Sequence, residues 1–503
     1  MIGQRHIYYL CLMPSKKAVV IGAGIAGIAV AIRLAVKGYA VEVFEANATP
    51  GGKLAEVKKD GFRFDAGPSL LTLPGYIDEL FKLAGKDPSR YFQYQKLDII
   101  CKYFYEDGTK LTAYTDEAKF INEITTITGE PAAALQKQRA NSSKIYEITN
   151  PVFLERGFNG LKSLFNKEAL RALVNLPKLD TSRTMHGANQ SFFKDKRLVQ
   201  FYDRFATYNG SNPYAAPATL NVIPHLEQQL GAYFPEDGMY SIITSLVKLA
   251  EELGVQFHYD SPVDEIILNN KIAQGVKVKG ELINADVIIS NMDIWFTYKK
   301  LLKDHPKLHP QKTLGQERSS SALVFYWGIN NTFDNLDLHN IFFSADYKAE
   351  FDHIWKEKNI YHDPTVYLNI TSKLSPADAP PGCENWFVMI NVPANTGQDW
   401  DKLITDARKN ILAKLSRLLN QDIAQLIISE SVLDPRGIET KTSSYQGSIY
   451  GTSSNSKYAA FMRHANKSGQ VKGLYFCGGS VHPGGGIPLC LLSAKIAGDS
   501  IGG

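Results

Sequence analysis

Residues 18–45 (AVVIGAGIAGIAVAIRLAVKGYAVEVFE) carry the feature that most constrains this fold: a glycine-rich turn between an apolar strand and a helix. Ala18–Ile21 is short, apolar and partly β-branched, which predicts a buried parallel strand. Gly22–Gly27 (GAGIAG) follows at once and opens an apolar helical stretch. Tyr39–Phe44 predicts a second strand, which ends at Glu45. This order of elements predicts a dinucleotide-binding unit.

Each residue type in this turn has a physical role. Gly22 allows the tight turn, and Gly24 lets the backbone come close to a pyrophosphate. Gly27 lets the helix pack closely on the strand. Ile25 and Ala26 begin the helix, where free N–H groups and a partial positive charge favour phosphates.

Glu45, with Ala46 beside it, lies about twenty residues beyond the glycines, where a carboxylate can accept hydrogen bonds from a ribose. Two other interpretations were weighed. One is a chance glycine cluster in a buried helix, which does not explain the acidic end. The other is a membrane span, but the uncharged run 18–32 is shorter than the ~20 residues required and stops at Arg33.

Composition narrows the class of protein. The chain has 503 residues, 44% hydrophobic and 21% charged, which is typical of a soluble globular protein of two to three domains. Lys and Arg number 55 against 51 Asp and Glu, and no basic run is present, so nucleic-acid binding is not predicted. The five cysteines are scattered without CxxC spacing, which predicts neither a metal site nor disulfides and favours the cytoplasm.

Two further glycine segments follow the first unit. Pro50–Leu54 (PGGKL) has adjacent glycines that let the backbone lie against a large ligand, with Lys53 as a nearby cation; an ordinary turn is the alternative. Gly61–Ser69 reads GFRFDAGPS. With Glu45, these segments resemble the FAD-binding half of the phytoene desaturase and amine oxidase flavoproteins. That family places the ADP half of FAD at the first glycine turn. A second GxGxxG for NAD is absent, which leaves oxygen or a quinone open as electron acceptor.

The end of the chain repeats the order of strand, glycine loop and helix. Gly473–Gly479 predicts a strand that runs into a turn, and a last helix covers Leu489–Ile501. Between them, HPGGGIP resembles the C-terminal signature of bacterial-type carotenoid desaturases. The resemblance implies that the start of this helix faces the flavin and the pyrophosphate. His482 is either a catalytic base or a structural residue of this loop.

The resemblance implies a fold and a set of contacts. The expected fold is α/β, with a Rossmann-like FAD-binding domain at 13–96, 226–300 and 451–503. An inserted α+β substrate and membrane-binding domain is expected at 97–225 and 301–450. The implied FAD-binding residues are Gly22, Gly24, Ile25, Ala26, Gly27, Glu45, Ala46, Gly51, Gly52, Lys53, Leu54, Gly67, Pro68, Ser69, Val263, Asn291, Met292, Asp293, Gly478, Gly479, Gly486, Ile487 and Pro488.

The implied activity is FAD-dependent carotenoid desaturation, in which a hydride and a proton leave adjacent carbons of an apolar polyene. Over its length the chain is most similar to the branch that desaturates hydroxylated carotenoids at the 3,4 position. Phytoene desaturation and carotene cis–trans isomerisation are alternatives, and amine or porphyrinogen oxidation is a more distant one. A buried tertiary hydroxyl needs a polar partner. The candidates among aromatic neighbours are Asn209, Ser211 and Asn212.

Two expectations concern the region before residue 225. The stretch Leu161–Leu179 is amphipathic and basic, which predicts either a surface helix or the contact of a monotopic protein with a membrane. Glu168 and Arg171 align with the family's proposed acid/base or gating pair, although their i,i+3 spacing by itself favours a surface ion pair. Arg318 is a weaker catalytic candidate. Aromatic strands such as Ser321–Ile329 fit either a core or a lipophilic tunnel.

Overall fold

The structure is a computed structural model that describes residues 16–150, 179–180, 182–456 and 463–502. In the described residues, strands assemble into two large sheets and three smaller ones. The first large sheet is parallel and the second is mixed, and we refer to them as the parallel sheet and the mixed sheet.

The parallel sheet has five strands, in the spatial order Leu474–Phe476, Val287–Ser290, Lys17–Ile21, Ala40–Phe44 and Gln256–His258. The central strand is buried on both faces, and Ala18, Val19 and Val20 are each 0% exposed. Burial on both faces explains why this strand is continuously apolar in sequence. The predicted strand–helix–strand unit is therefore confirmed in the fold.

Different layers cover the two faces of the parallel sheet. On one face, Ala18 and Val20 share a core with the helices Ile25–Val36, Ser241–Glu252 and Ile487–Asp499. On the other face, Val19 and Ile21 pack against an antiparallel sheet. The strands of that sheet are Val263–Asn269, Ile272–Val278 and Glu281–Asn284. The layers hold the strand ends rigidly in place.

The mixed sheet has seven strands, in the order Ile427–Leu433, Ser321–Ile329, Glu384–Val392, Val366–Asn369, His339–Phe342, Ile99–Phe104 and Lys110–Tyr114. Neighbouring strands are antiparallel except His339–Phe342 and Ile99–Phe104, which run parallel. The last two strands form a hairpin around Asp107 and Gly108. Its strands come from residues 99–114, 321–392 and 427–433, so the mixed sheet is as discontinuous in sequence as the parallel sheet.

The two faces of the mixed sheet have different partners. Odd-numbered residues of Ser321–Ile329, among them Trp327, share a core with Trp386 and the helix Trp400–Leu419. Even-numbered residues, among them Tyr326, face the opposite side. Since side chains alternate along a strand, one aromatic strand supplies both a core and a cavity wall. The core interpretation of these aromatic strands is therefore confirmed, and even-numbered residues also line the cavity described below.

The remaining elements are two short strand pairs and further helices. Glu56–Lys59 pairs with Phe62–Asp65, and Tyr94–Lys96 pairs with Tyr233–Pro235. Further α-helices of six or more residues are Gly75–Leu83, Glu117–Thr128, Ala132–Thr149, Met185–Phe192, Lys196–Asp203, Tyr347–Asp352 and Pro435–Thr442. Across the described ranges, no helix combines the length and apolarity that crossing a bilayer requires. Glu168, Arg171 and nearly all of Leu161–Leu179 lie outside the described residues.

Close packing of the hairpin 56–65 on the mixed sheet should require glycine at position 328. A Cβ added at Gly328 would lie 2.4 Å from the ring of buried Phe62. We expect Gly328→Ala to lower the free energy of unfolding by about 1–3 kcal/mol through overpacking. Chemical denaturation measures this loss. Gly469→Ala is the control, because a Cβ there meets nothing within 4 Å. Equal stability of the two variants would contradict this packing.

Candidate active site

Four strands of the parallel sheet end at one cavity of about 1160 Å³. Gly22 follows the first strand, Glu45 the second and Asn291 the strand Val287–Ser290, and all three line the cavity. Gly478 lines it two residues after Leu474–Phe476. Open parallel sheets bind ligands at the carboxyl ends of their strands, so the fold places this cavity where a dinucleotide is expected.

The predicted cofactor residues assemble at this cavity. Those that line it are Gly22, Gly24, Ile25, Ala26, Glu45, Ala46, Gly51, Gly52, Lys53, Leu54, Gly67, Pro68, Ser69, Val263, Asn291, Met292, Asp293, Gly478, Gly479, Gly486, Ile487 and Pro488. Gly27 does not line it. A Cβ at Gly27 would lie 2.1 Å from the carbonyl oxygen of Gly22, so this glycine serves helix packing, as its position in the motif predicts.

Two helix N-termini open on the cavity. Gly24 and Gly486 are the N-cap residues, and no side chain of the described residues caps either helix. The first turns of both helices contain no acidic residue, so their free N–H groups and partial positive charge are available to an anion. A Cβ on Gly486, whose φ is +103°, would meet no atom within 4 Å. This cradle fits the pyrophosphate of FAD.

Glu45 is held in place by backbone and side-chain donors. The Ala23 N–H donates to its Oε2 at 2.7 Å, and Asn47 donates to its Oε1 from its backbone N–H at 2.9 Å and from Nδ2 at 2.7 Å. The carboxylate is only 6% exposed. Three donors leave acceptor capacity on a carboxylate. Glu45 can therefore accept a hydrogen bond from a ribose hydroxyl without moving.

Asn291 joins the first and last glycine loops. Its Nδ2 donates to the Gly22 carbonyl at 3.3 Å, and a Cβ on Gly24 would lie 2.8 Å from the same nitrogen. On the other side, a Cβ on Gly478 would lie 2.6 Å from Oδ1. The side chain of Asn291 therefore fills the space between two loops that are more than 450 residues apart in sequence, and both loops need glycine to admit it.

Lys53 is a partly buried cation in the cavity wall. Its Nζ donates to the carbonyl oxygens of Ser448 at 3.1 Å and Ile449 at 3.0 Å. Burial lowers the pKa of Lys53, and the charge of Asp293 opposes that shift. An ammonium has three donors, so one remains for a ligand after these two bonds. The predicted cation is therefore present and is fixed to the segment 448–449.

Two residues that sequence analysis missed organise the C-terminal loop. The side chain of Arg463 donates to the Pro483 carbonyl at 3.3 Å and to Asn209 Oδ1 at 3.2 Å, and burial lowers its pKa to about 10. Asn466 Nδ2 donates to the His482 carbonyl at 2.9 Å. Neither residue belongs to a recognisable motif, because their partners are distant in sequence and only the fold brings them near.

Other sequence candidates have mixed outcomes. Asn209 lines the cavity, whereas Ser211 and Asn212 do not. The Ser211 hydroxyl donates to the Asn209 carbonyl and accepts from the Ser454 N–H, and the Asn212 side chain accepts from the Tyr214 N–H. Pro483 lines the cavity but His482 does not. Arg318 is buried, lies 3.5 Å from the Asp293 carboxylate and does not line the cavity. These positions favour structural over catalytic roles for His482 and Arg318.

A buried ionic cluster lines the cavity beyond the glycine loops. Arg204 Nη1 donates to the Tyr208 hydroxyl at 2.9 Å, and Nη2 donates to the Tyr103 hydroxyl at 2.5 Å and to Glu227 Oε1 at 3.3 Å. The Tyr208 hydroxyl donates to Glu227 Oε2. Among these residues, Arg204, Tyr208 and Glu227 line the cavity. Because the charges are paired, the cluster can stay ionised while buried.

Comparison with known proteins gives concordant results. A model of flavin-containing amine oxidoreductases matches residues 25–501. A 1-hydroxycarotenoid 3,4-desaturase of Flavobacterium sp. (strain P99-3) is 50% identical over 486 residues, which cover 97% of this chain and 99% of that protein. A 4,4'-diapolycopene oxygenase of Methylomonas sp. is 35% identical over 494 residues, which cover 97% and 98%.

Solved structures agree on the fold. An oxidoreductase from Methanosarcina mazei superposes with a TM-score of 0.62 at 16% identity and covers 95% of this chain and 99% of its own. A putrescine oxidase redesigned in cofactor binding superposes with a TM-score of 0.63 at 15% identity, covering 97% and 98%. At such low identity these structures establish the architecture alone.

We expect Gly24→Val to weaken FAD binding about tenfold or more, because the side chain would occupy the cradle and crowd Asn291. The flavin content and the FAD dissociation constant of the purified protein measure the loss. Gly75→Val is a matched control, since a Cβ on Gly75 meets nothing within 4 Å and Gly75 does not line the cavity. A fully loaded, yellow Gly24→Val protein would refute this assignment.

Proposed function

Since the chain belongs to the family of flavin-containing amine oxidoreductases, we propose that it is an FAD-dependent carotenoid desaturase. In this proposal it introduces a C=C double bond at the 3,4 position of a 1-hydroxylated carotene, as a step of carotenoid biosynthesis. The observation that carries the proposal is the 50% identity, over almost the whole of both chains, with a 1-hydroxycarotenoid 3,4-desaturase. The cofactor is FAD.

The cavity supports this chemistry. It continues from the glycine loops along the face of the mixed sheet that carries the even-numbered residues of Ser321–Ile329. On this face Val324 and its neighbours on other strands, Ile341 and Met389, give an apolar wall. An apolar wall suits a polyene, because burying its surface is favourable without directional bonds. Bound FAD supplies the two-electron acceptor for a hydride leaving carbon. The walls of the cavity position the carbon chain and exclude water.

We propose that the cavity-lining residues named above contact FAD, with the two helix N-termini at the pyrophosphate and Glu45 at the ribose. We also propose that the chain divides as the sequence suggested. Segments 13–96, 226–300 and 451–503 would form the FAD-binding domain, and segments 97–225 and 301–450 the substrate domain. The parallel sheet supports this division, because its strands come from residues 17–44, 256–258, 287–290 and 474–476.

Three further assignments belong to this proposal. Glu168 and Arg171 remain the proposed acid/base or gating pair, on the strength of their alignment with the family. Oxygen or a quinone would reoxidise the flavin, because the sequence has only one dinucleotide-binding motif. The protein would be cytoplasmic and bound peripherally to the membrane that holds its substrate, through the basic, amphipathic stretch Leu161–Leu179.

The activity assay uses the enzyme with FAD and membranes, and offers phytoene and a 1-hydroxylated carotene side by side. We expect the hydroxylated carotene to lose two hydrogens by mass and to absorb at longer wavelength, because the new double bond extends the polyene. Turnover of phytoene alone would favour the phytoene desaturase alternative. A product of unchanged mass would favour isomerisation, and peroxide formation with amines would favour an amine oxidase.

Membrane association is tested by flotation with anionic liposomes. We expect the protein to float, and we expect replacement of Leu164, Phe165 and Leu173 with polar residues to reduce flotation and activity together, because apolar insertion weakens. Lys167→Gln, which changes one charge of the same stretch, should have a smaller effect. Unchanged flotation of the triple variant would exclude this stretch as the anchor.

A further inference from the structure

Three polar side chains, those of Ser69, Tyr367 and His339, form a row on the cavity wall. The Ser69 and Tyr367 hydroxyls lie 2.6 Å apart, and the Tyr367 hydroxyl lies 2.7 Å from His339 Nδ1. All three residues line the cavity. Ser69 ends the loop 67–69, which we assign to the cofactor side. His339 and Tyr367 belong to neighbouring strands of the mixed sheet. The polar row therefore connects the proposed cofactor wall to the proposed substrate wall.

The neighbours of His339 determine where its proton lies. Asn369 Nδ2 donates to the Leu338 carbonyl at 3.0 Å, which identifies that atom as the amide nitrogen. The same nitrogen lies 3.2 Å from His339 Nδ1. A ring nitrogen that faces an N–H group must present its lone pair, so Nδ1 is the acceptor and Nε2 carries the proton.

The imidazole of His339 is neutral. Burial lowers its pKa to about 3, and the positive charge of Arg204 acts in the same direction. His339 is 3% exposed, so water does not solvate it freely. At any pH from 5 to 9 the ring therefore has one N–H, on Nε2, and no charge.

The Nε2–H group of His339 lacks an acceptor. Nε2 is buried and has no hydrogen-bond partner among the described residues. An unsatisfied buried donor costs free energy, and buried polar groups normally have a partner. The missing partner of a neutral N–H donor is an oxygen with a lone pair, such as a hydroxyl or carbonyl oxygen.

We propose that Nε2–H of His339 binds the tertiary hydroxyl of the carotenoid and thereby selects hydroxylated substrates. The inference rests on the proposed function and adds the residue that recognises the substrate. In a 1-hydroxylated carotene desaturated at the 3,4 position, only one carbon separates the hydroxylated carbon from C3. The group that recognises the hydroxyl must therefore lie close to the cofactor, and the link through Tyr367 to Ser69 places His339 there.

The chemistry of the row suits this hydroxyl. His339 would donate to the hydroxyl oxygen, while Ile341 and Phe387 of the same wall offer apolar surface to the carbon chain. A site built to hydrogen-bond a hydroxyl rejects the analogue without it, because its own donor is then left unpaired in a dry cavity. His339 thus acts in specificity and not in bond breaking.

Two variants of His339 test the Nε2–H donor separately from the acceptor at Nδ1. His339→Asn can keep an acceptor near Nδ1 for Asn369 and Tyr367 but does not reach the position of Nε2. His339→Gln is long enough to place an amide N–H there. We expect His339→Asn to lower kcat/KM for a 1-hydroxylated carotene about 10- to 100-fold, as loss of a buried hydrogen bond predicts.

The matched substrate is a carotene with the same conjugation but no hydroxyl. For this substrate we expect His339→Asn to stay within about twofold of wild type, and we expect His339→Gln to recover most of the lost discrimination. Tyr326→Phe is the control variant. It removes a hydroxyl from the same cavity wall, one that donates to the Ala66 carbonyl at 3.2 Å, and should affect both substrates equally.

Flavin content shows whether each variant is folded, and His339→Leu replaces His339→Asn if the latter loses its FAD. Equal losses on both substrates, or unchanged discrimination in a flavin-loaded variant, would overturn the role of His339 while leaving desaturation intact. A wild-type enzyme that desaturates neither substrate would overturn the proposed function itself and this inference with it. The discrimination of the wild type should not change between pH 5 and 9, since His339 stays neutral.

Discussion

The side chain of Asn291 sets the geometry on which the rest of the site depends. Its amide lies between the first and last glycine loops, and Gly24, Gly27 and Gly478 could not carry a Cβ without meeting it. The strand that precedes Asn291 pairs with Lys17–Ile21 on one side and Leu474–Phe476 on the other, which are the first and last strands of the parallel sheet in sequence. Two uncapped helix N-termini are thereby brought to one cavity, and each alone would be a weak anion site.

The fold was predictable where sequence signals are local. The first strand, its helix and the C-terminal loop follow from glycine spacing and apolar runs, and the structure confirms them. Strands such as His339–Phe342 and Ile427–Leu433 were not predicted. Both contain polar residues, and their identity as strands comes from pairing with distant segments, which tertiary context alone decides.

The residues of the candidate site were likewise predictable only where the sequence carries a local signal. Glycines announce a close approach of backbone to ligand, so the cofactor residues could be named from the chain. The polar partner of the substrate was expected at Asn209, Ser211 and Asn212, but two of these bond within their own loop. Nothing in the sequence singles out His339. The alternation of side chains along a strand shows that the strand has two faces, but it does not show which face borders a cavity.

The strand order of the parallel sheet has a consequence for biosynthesis. Leu474–Phe476 lies beside Val287–Ser290, and the helix that follows it covers the first strand. About 450 residues separate Ile21 from this last strand, and at roughly 5–20 residues per second their translation takes about 20–90 s. For that time the core on this face of the central strand contains the helix Ile25–Val36, and later Ser241–Glu252, but lacks the helix Ile487–Asp499. The second helix N-terminus of the cavity exists only after Gly486 has been translated, so the complete anion cradle forms late in synthesis.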